Sequence, residues 1–171
     1  RWQAEGIGVS IMKPPFARGN FPQLKTLNYL PALMALRFAR AEGCEEAILT
    51  DRQGKLLEGV SSNLFVVRDG KLATPPSRLG LLAGRTRALV MEIAGAAGLA
   101  AQETGIERRD LLMADEAFLS GSVKEIVPVV RAEGATIGDG RPGPVTRDLQ
   151  ARYGQAVRAA LAAPASDAAA Q

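Results

Sequence analysis

A chain of 171 residues, 47% hydrophobic and 23% charged, can bury one substantial core and is too apolar to be a disordered polymer. Its 21 Lys and Arg stand scattered among 18 Asp and Glu, with no basic run, no apolar stretch of roughly 18 residues and no basic-then-apolar leader, so nucleic-acid and membrane partners are excluded and a soluble, cytoplasmic protein is predicted. With no histidine and a lone Cys44, a Ser-His-Asp triad, the usual zinc sites and an internal disulfide are excluded too, which leaves proton transfer to Lys, Glu, Asp, Tyr or a cofactor.

The chain begins at Arg1 rather than methionine and runs without a cap or turn signal into a strand-like stretch, Gly6 to Met12. That start reads as the end of an interdomain segment, residues 1–12, whose preceding domain is missing. Pro14-Pro15 and Gly19-Asn-Phe-Pro22 mark a loop, and apolar residues at helical spacing (Leu30, Leu33, Met34, Phe38) predict a helix from Leu27 to Ala41, with Lys25 just before it. Cys44 reads as a small core residue. Strands Ala47–Thr50 and Lys55–Gly59 form a hairpin through Asp51-Arg-Gln-Gly54, and Asn63–Arg68 pairs with Lys71–Thr74 through Asp69-Gly70. Pro75-Pro76 breaks the sheet, the apolar Leu79 to Ala83 follows, and Thr86 opens an alanine-rich helix to about Gly98. A strand at Ala101–Thr104, a short helix at Arg109–Ala114 and strands at Glu116–Leu119 and Ile126–Val130 precede the Gly- and Pro-rich Gly134 to Pro144. A last helix, Val145 to Ala162, leads into a low-complexity tail from Pro164 that reads as disordered. Antiparallel hairpins followed by helices predict an α+β fold.

Several residues carry alternative readings. Lys25 is either a solvated lysine or a reactive amine. On the strand at 55–59, alternation buries either Leu57 or Glu58, and a buried Glu58 would need a cationic partner. Gly84-Arg-Thr86 is a helix start at which Thr86 supplies a capping oxygen, or else an anion site built on free N–H groups and the positive end of the helix. Ser120-Gly-Ser122 and Ser61-Ser-Asn63 read as polar connections.

Taken in order, four segments carry a resemblance: Leu-Lys25-Thr-Leu-Asn-Tyr-Leu, Leu-Leu-Glu58-Gly-Val-Ser-Ser-Asn-Leu-Phe, Leu-Leu-Ala-Gly-Arg-Thr86-Arg, and Asp-Glu-Ala-Phe-Leu-Ser-Gly-Ser122-Val-Lys-Glu-Ile. From Lys25 to Leu149, including Gly-Pro-Val-Thr at 143–146, the chain resembles the class IV pyridoxal phosphate-dependent family, which includes branched-chain and D-amino acid aminotransferases and aminodeoxychorismate lyase.

The resemblance implies the large C-terminal domain of that family over residues 13–163, an antiparallel-rich pseudo-barrel sheet with flanking helices, followed by a disordered tail at 164–171, with the small N-terminal domain absent. It implies pyridoxal 5'-phosphate as cofactor. Lys25 would form the Schiff base and then, displaced, carry a proton. Glu58 would bond the pyridine nitrogen and Tyr29 would lie near the phenolic oxygen. Gly84, Arg85 and Thr86 would cup the phosphate with a hydroxyl from Ser122, Leu81 would lie under the ring, and Asn63 would be structural. The family commonly has isoleucine where Arg85 stands and proline or asparagine at Ala83, and branched-chain enzymes have Gly-Thr-Ala-Ala where this chain has Gly-Ser-Val-Lys at 121–124. The implied activity is transfer of an amino group between an amino acid and a 2-oxo acid, by a homodimer. Alternatives are elimination of pyruvate from aminodeoxychorismate to give 4-aminobenzoate, and an inactive relic that keeps the fold.

Overall fold

The computed structural model describes residues 1–14, 16 and 24–162. The expected loop at Pro15 and Gly19 to Pro22, and the tail, lie outside the described residues. Among the described residues, nine strands form one sheet: β1 (Ile7–Met12), β2 (Glu46–Thr50), β3 (Leu56–Gly59), β4 (Ser62–Arg68), β5 (Lys71–Thr74), β6 (Ala100–Glu103), β7 (Glu116–Gly121), β8 (Glu125–Ala132) and β9 (Ala135–Thr136). Their order runs β3-β2-β1-β8-β7-β4, and β4 pairs back to β3, so six strands close a ring; β5 and β6 extend it beyond β4. β1 is parallel to β2 and β8, whereas β2–β3, β3–β4, β4–β7 and β7–β8 are antiparallel. The antiparallel-rich pseudo-barrel and the α+β class are therefore present. Residues 7–12, expected at the end of an interdomain segment, are hydrogen-bonded into the ring on both edges.

Alternation along the strands sends one set of side chains into the ring and the other set outward. Inside lie Ile7, Val9, Ile48, Leu64, Val66, Ala117, Leu119, Val127 and Val129, joined by Ile106 and by Leu111 of α4 (Arg108–Leu112). Outside, Phe65, Val67, Phe118 and Ile126 pack under α3 (Arg85–Ala96) and α5 (Pro144–Ala162) through Val90, Ala94, Leu149 and Tyr153. Phe65 and Phe118 stack with ring centroids 4.8 Å apart, a pairing worth about 0.5–1.5 kcal/mol beyond its area. On another outer face, Met12, Ala47 and Leu49 meet Ala35 and Ala39 of α2 (Leu30–Ala41) together with Cys44. Cys44 is thus the core residue expected, and burial pushes its thiol above the ordinary value.

Local chemistry explains most element ends. The Asp69-Gly70 turn has positive φ at both residues, 50° and 69°, as a two-residue hairpin of right-twisted strands requires. Asp51 Oδ1 accepts N–H bonds from Gln53 and Lys55 and so shapes the β2–β3 turn. The first turn of α5 is held by the Glu116 carboxylate of β7, which accepts the N–H groups of Val145 and Thr146 and the Thr146 hydroxyl at 2.7–2.9 Å. Gly-Pro-Val-Thr therefore serves a helix start whose anion comes from the chain itself.

Two expectations are corrected and two short elements are added. The helix predicted from Leu27 begins at Leu30, with Pro31 in its first turn, and Leu27 is 94% exposed. Leu27 repeats the helical period, but Pro31 lacks the N–H that would bond the carbonyl four residues back, so the helix can start only within a turn of it. α1 (Trp2–Glu5) and β9 had no sequence signal, being four and two residues long. The second correction concerns Thr86. It is not a cap: Gly84 occupies that position, no side-chain cap bond is made there among the described residues, and Thr86 lies one residue inside the helix with its side chain buried. Among the described residues, no helix is long and apolar enough to cross a membrane.

Candidate active site

One cavity of about 600 Å³ opens on the outer face of the ring at the start of α3. Its walls come from the segment before α2 (Lys25, Tyr29), from β3 and the turn after it (Glu58, Ser61), from β4 (Ser62, Asn63), from Leu82 to Thr86, and from β7 with its following turn (Ser120 to Lys124). Segments remote in sequence thus converge, and with them seven of the eight predicted site residues: Lys25, Tyr29, Glu58, Gly84, Arg85, Thr86 and Ser122. Leu81 is the exception. It is 1% exposed and is buried behind the wall, which at that level consists of Leu82 and Ala83.

The alternation left open on β3 resolves in favour of Glu58, which is 2% exposed. Burying a carboxylate is costly unless donors meet it. Here the side-chain amide of Asn63 and the backbone N–H of Leu82 both donate to Glu58 Oε2, each at 3.2 Å. Asn63 also donates to the Leu82 carbonyl at 2.9 Å, so one amide ties β3, β4 and the loop before α3 into a single rigid corner. A Cβ at Gly84 would lie 2.2 Å from Asn63 Oδ1. Only glycine lets the start of α3 approach this closely, and the approach brings the helix end beside Glu58.

Lys25 is exposed, and its Nζ donates to the Tyr29 hydroxyl at 3.0 Å. The two residues predicted to act near each other are therefore in direct contact, with the amine 5.8 Å from the Tyr29 ring centroid. At the other end of the cavity, α3 begins without a side-chain cap among the described residues. Its first N–H groups and its positive end attract an anion there. Thr86 and Ser122 supply hydroxyls, and the exposed Arg85 a positive charge.

Two features escaped the sequence reading. Lys124 lines the cavity and forms an ion pair with the buried Glu46 of β2, its ammonium also lying 5.7 Å from the Trp2 ring centroid. Glu46 further accepts a bond from the Ala47 N–H. No local pattern joins residues so far apart. Ser120, read as part of a turn, is a strand residue paired with Asn63. The period-2 pattern Glu116, Phe118, Ser120 could have placed it on the cavity face.

The chain belongs to the amino-transferase class IV family, whose family model matches residues 8–132. It is 37% identical over 147 residues to a putative branched-chain-amino-acid aminotransferase of Methanocaldococcus jannaschii, covering 86% of this chain and 51% of that protein. It is 36% identical over 143 residues to a D-alanine aminotransferase of Bacillus licheniformis, covering 84% of this chain and 50% of that protein. Among solved structures, the branched-chain amino acid aminotransferase from Thermobaculum terrenum in its PLP-form (holo-form) superposes with a TM-score of 0.84 at 33% identity, over 90% of this chain and 51% of that one. The chain thus spans about half the length of these relatives.

Proposed function

We propose that this chain is the cofactor-holding part of a pyridoxal 5'-phosphate-dependent aminotransferase that moves an amino group from an amino acid to a 2-oxo acid. The observation that carries this reading is the convergence, in one cavity, of a lysine amine, a buried carboxylate and an uncapped helix start flanked by hydroxyls. Those three groups suit the carbonyl carbon, the ring nitrogen and the phosphate of that one cofactor. The names of the relatives, branched-chain and D-alanine aminotransferases, support it.

Bound there, the cofactor would supply an electron-withdrawing ring able to stabilise negative charge on a substrate carbon. The work of the chain's own residues follows from their placement. Lys25 would anchor the cofactor through Nζ and, once displaced by a substrate amine, hold and return a proton at that atom. The Tyr29 hydroxyl, bonded to that amine, orients it. Glu58, fixed by Asn63 and Leu82, would accept a hydrogen bond from the protonated ring nitrogen. The start of α3, with Thr86 and Ser122, would hold the phosphate, and Leu81 would back the wall from behind.

Adding single amino acids without an acceptor to the full-length protein should convert the bound cofactor to its amine form, seen as a shift of its absorbance band. If no amino acid, L or D, gives the shift while aminodeoxychorismate yields pyruvate, the lyase reading replaces this one.

The same reading includes a homodimer. It is supported by the outer face of α2, where Leu30, Leu33, Met34 and Phe38 are each between 46% and 66% exposed at helical spacing. Such a row of large apolar residues is a contact surface in waiting. Light scattering should give twice the chain mass, and a fully active monomer would refute the dimer.

A further inference from the structure

Ser120 has no role in the site described so far. It lies in β7, where it pairs with Asn63 of β4, and Asn63 pairs in turn with Glu58 of β3. The three residues form one row across adjacent strands and line the same cavity. Glu58 and Asn63 are bonded to each other and to Leu82. Ser120 is different: it is 1% exposed, and its Oγ has no hydrogen-bond partner among the described residues. Buried polar atoms are nearly always partnered, and one that is not, on the wall of a cavity, is met by what fills the cavity.

We propose that the Ser120 hydroxyl donates a hydrogen bond to the phosphate of the bound cofactor, as a third hydroxyl beside Thr86 and Ser122. The inference rests on the reading of this cavity as a pyridoxal phosphate site. Position selects the phosphate rather than the ring nitrogen. Neighbouring strands lie roughly 4.8 Å apart, so Ser120 stands two strand steps, about 10 Å, from Glu58. It is two residues from Ser122, and Asn63 between it and Glu58 lies against Gly84 at the start of α3. Chemistry agrees with position. A phosphate dianion presents only acceptor oxygens and needs donors, and a serine O–H is one.

The test uses purified full-length protein freed of cofactor and titrated with pyridoxal phosphate and, separately, with pyridoxal, which lacks the phosphate. Ser120→Ala should weaken pyridoxal phosphate binding by about tenfold or more, the usual cost of a bond to a charged group, and leave pyridoxal binding within about twofold. The cofactor-free melting temperature should stay the same or rise, because the substitution removes a buried hydroxyl that has no partner. Unchanged affinity for pyridoxal phosphate, an equal loss for both ligands, or a lowered melting temperature of the cofactor-free protein would each overturn the proposal. Wild-type protein that binds neither ligand would overturn the reading of the cavity itself.

Discussion

Replacing Lys25 with alanine should reduce turnover by about 10³-fold or more, since both the covalent anchor and the proton carrier are lost; a positioned acid–base group alone contributes about 10²–10⁴-fold. The loss would be chemical and not structural. Lys25 is exposed and precedes α2 without belonging to it, and surface substitutions of this kind change stability by about 0.5 kcal/mol or less. A melting temperature near that of the wild type with turnover abolished is therefore the expected pair of results. Reduction of the holoenzyme with borohydride followed by peptide mapping should place the cofactor on Lys25. The informative competitor is Lys124, the other lysine lining the cavity. Its amine is engaged by the buried Glu46 carboxylate, whereas that of Lys25 meets the phenol of Tyr29. A label on Lys124, Lys55 or Lys71 would remove Lys25 from its role.

For Glu58→Gln the expected result is a protein that keeps its cofactor and turns over about 10–100-fold more slowly. The glutamine carbonyl can still accept from Asn63 and Leu82, as Oε2 does now, so the corner joining β3, β4 and the α3 loop survives. What changes is the partner offered to the ring nitrogen, from a charged acceptor to an amide. Bonds to charged groups are worth about 1.5–3 kcal/mol, and that sets the size of the loss. Cofactor content read by absorbance separates the two effects. Wild-type turnover with full cofactor would mean that the carboxylate merely fills space.

The strands were legible wherever alternation was clear or a turn left its mark, as at Asp69-Gly70 and Asp51 to Gly54. Short elements such as α1 and β9 were not, because four or two residues cannot display a period. Leu27 misled for another reason: it repeats the helical spacing, but Pro31 has no N–H to give to a carbonyl four residues back, so the helix starts just before it. As candidates, Lys25, Glu58 and Thr86 came from the order of four segments, since no single one of them is distinctive, and the fold brings all three to one cavity. Physical placement then added what order could not: the choice between Leu57 and Glu58, the Asn63 bonds that hold the carboxylate, and the substitution of Leu82 for Leu81 on the wall. Glu46–Lys124 and the Ser120 hydroxyl remained hidden because each depends on strands that meet only after the ring has closed.

The pairing of β1 with β8 has a consequence for how the molecule is made. Ile7 lies opposite Val129 and Val9 opposite Ala132, so the last seam of the ring joins residues from nearly opposite ends of the sheet-forming sequence. Closing so long a loop costs entropy before any contact repays it. During synthesis, β1 and β2 can meet early, but one edge of β1 stays open until β8 has left the ribosome. Because β8 also flanks β7, which holds Ser120 and leads into the turn with Ser122, that side of the cavity wall gains its last neighbour in the same late step. The ring is therefore completed by its last long strand, and a chain cut before β8 would leave β1 and β7 each with an unpaired edge.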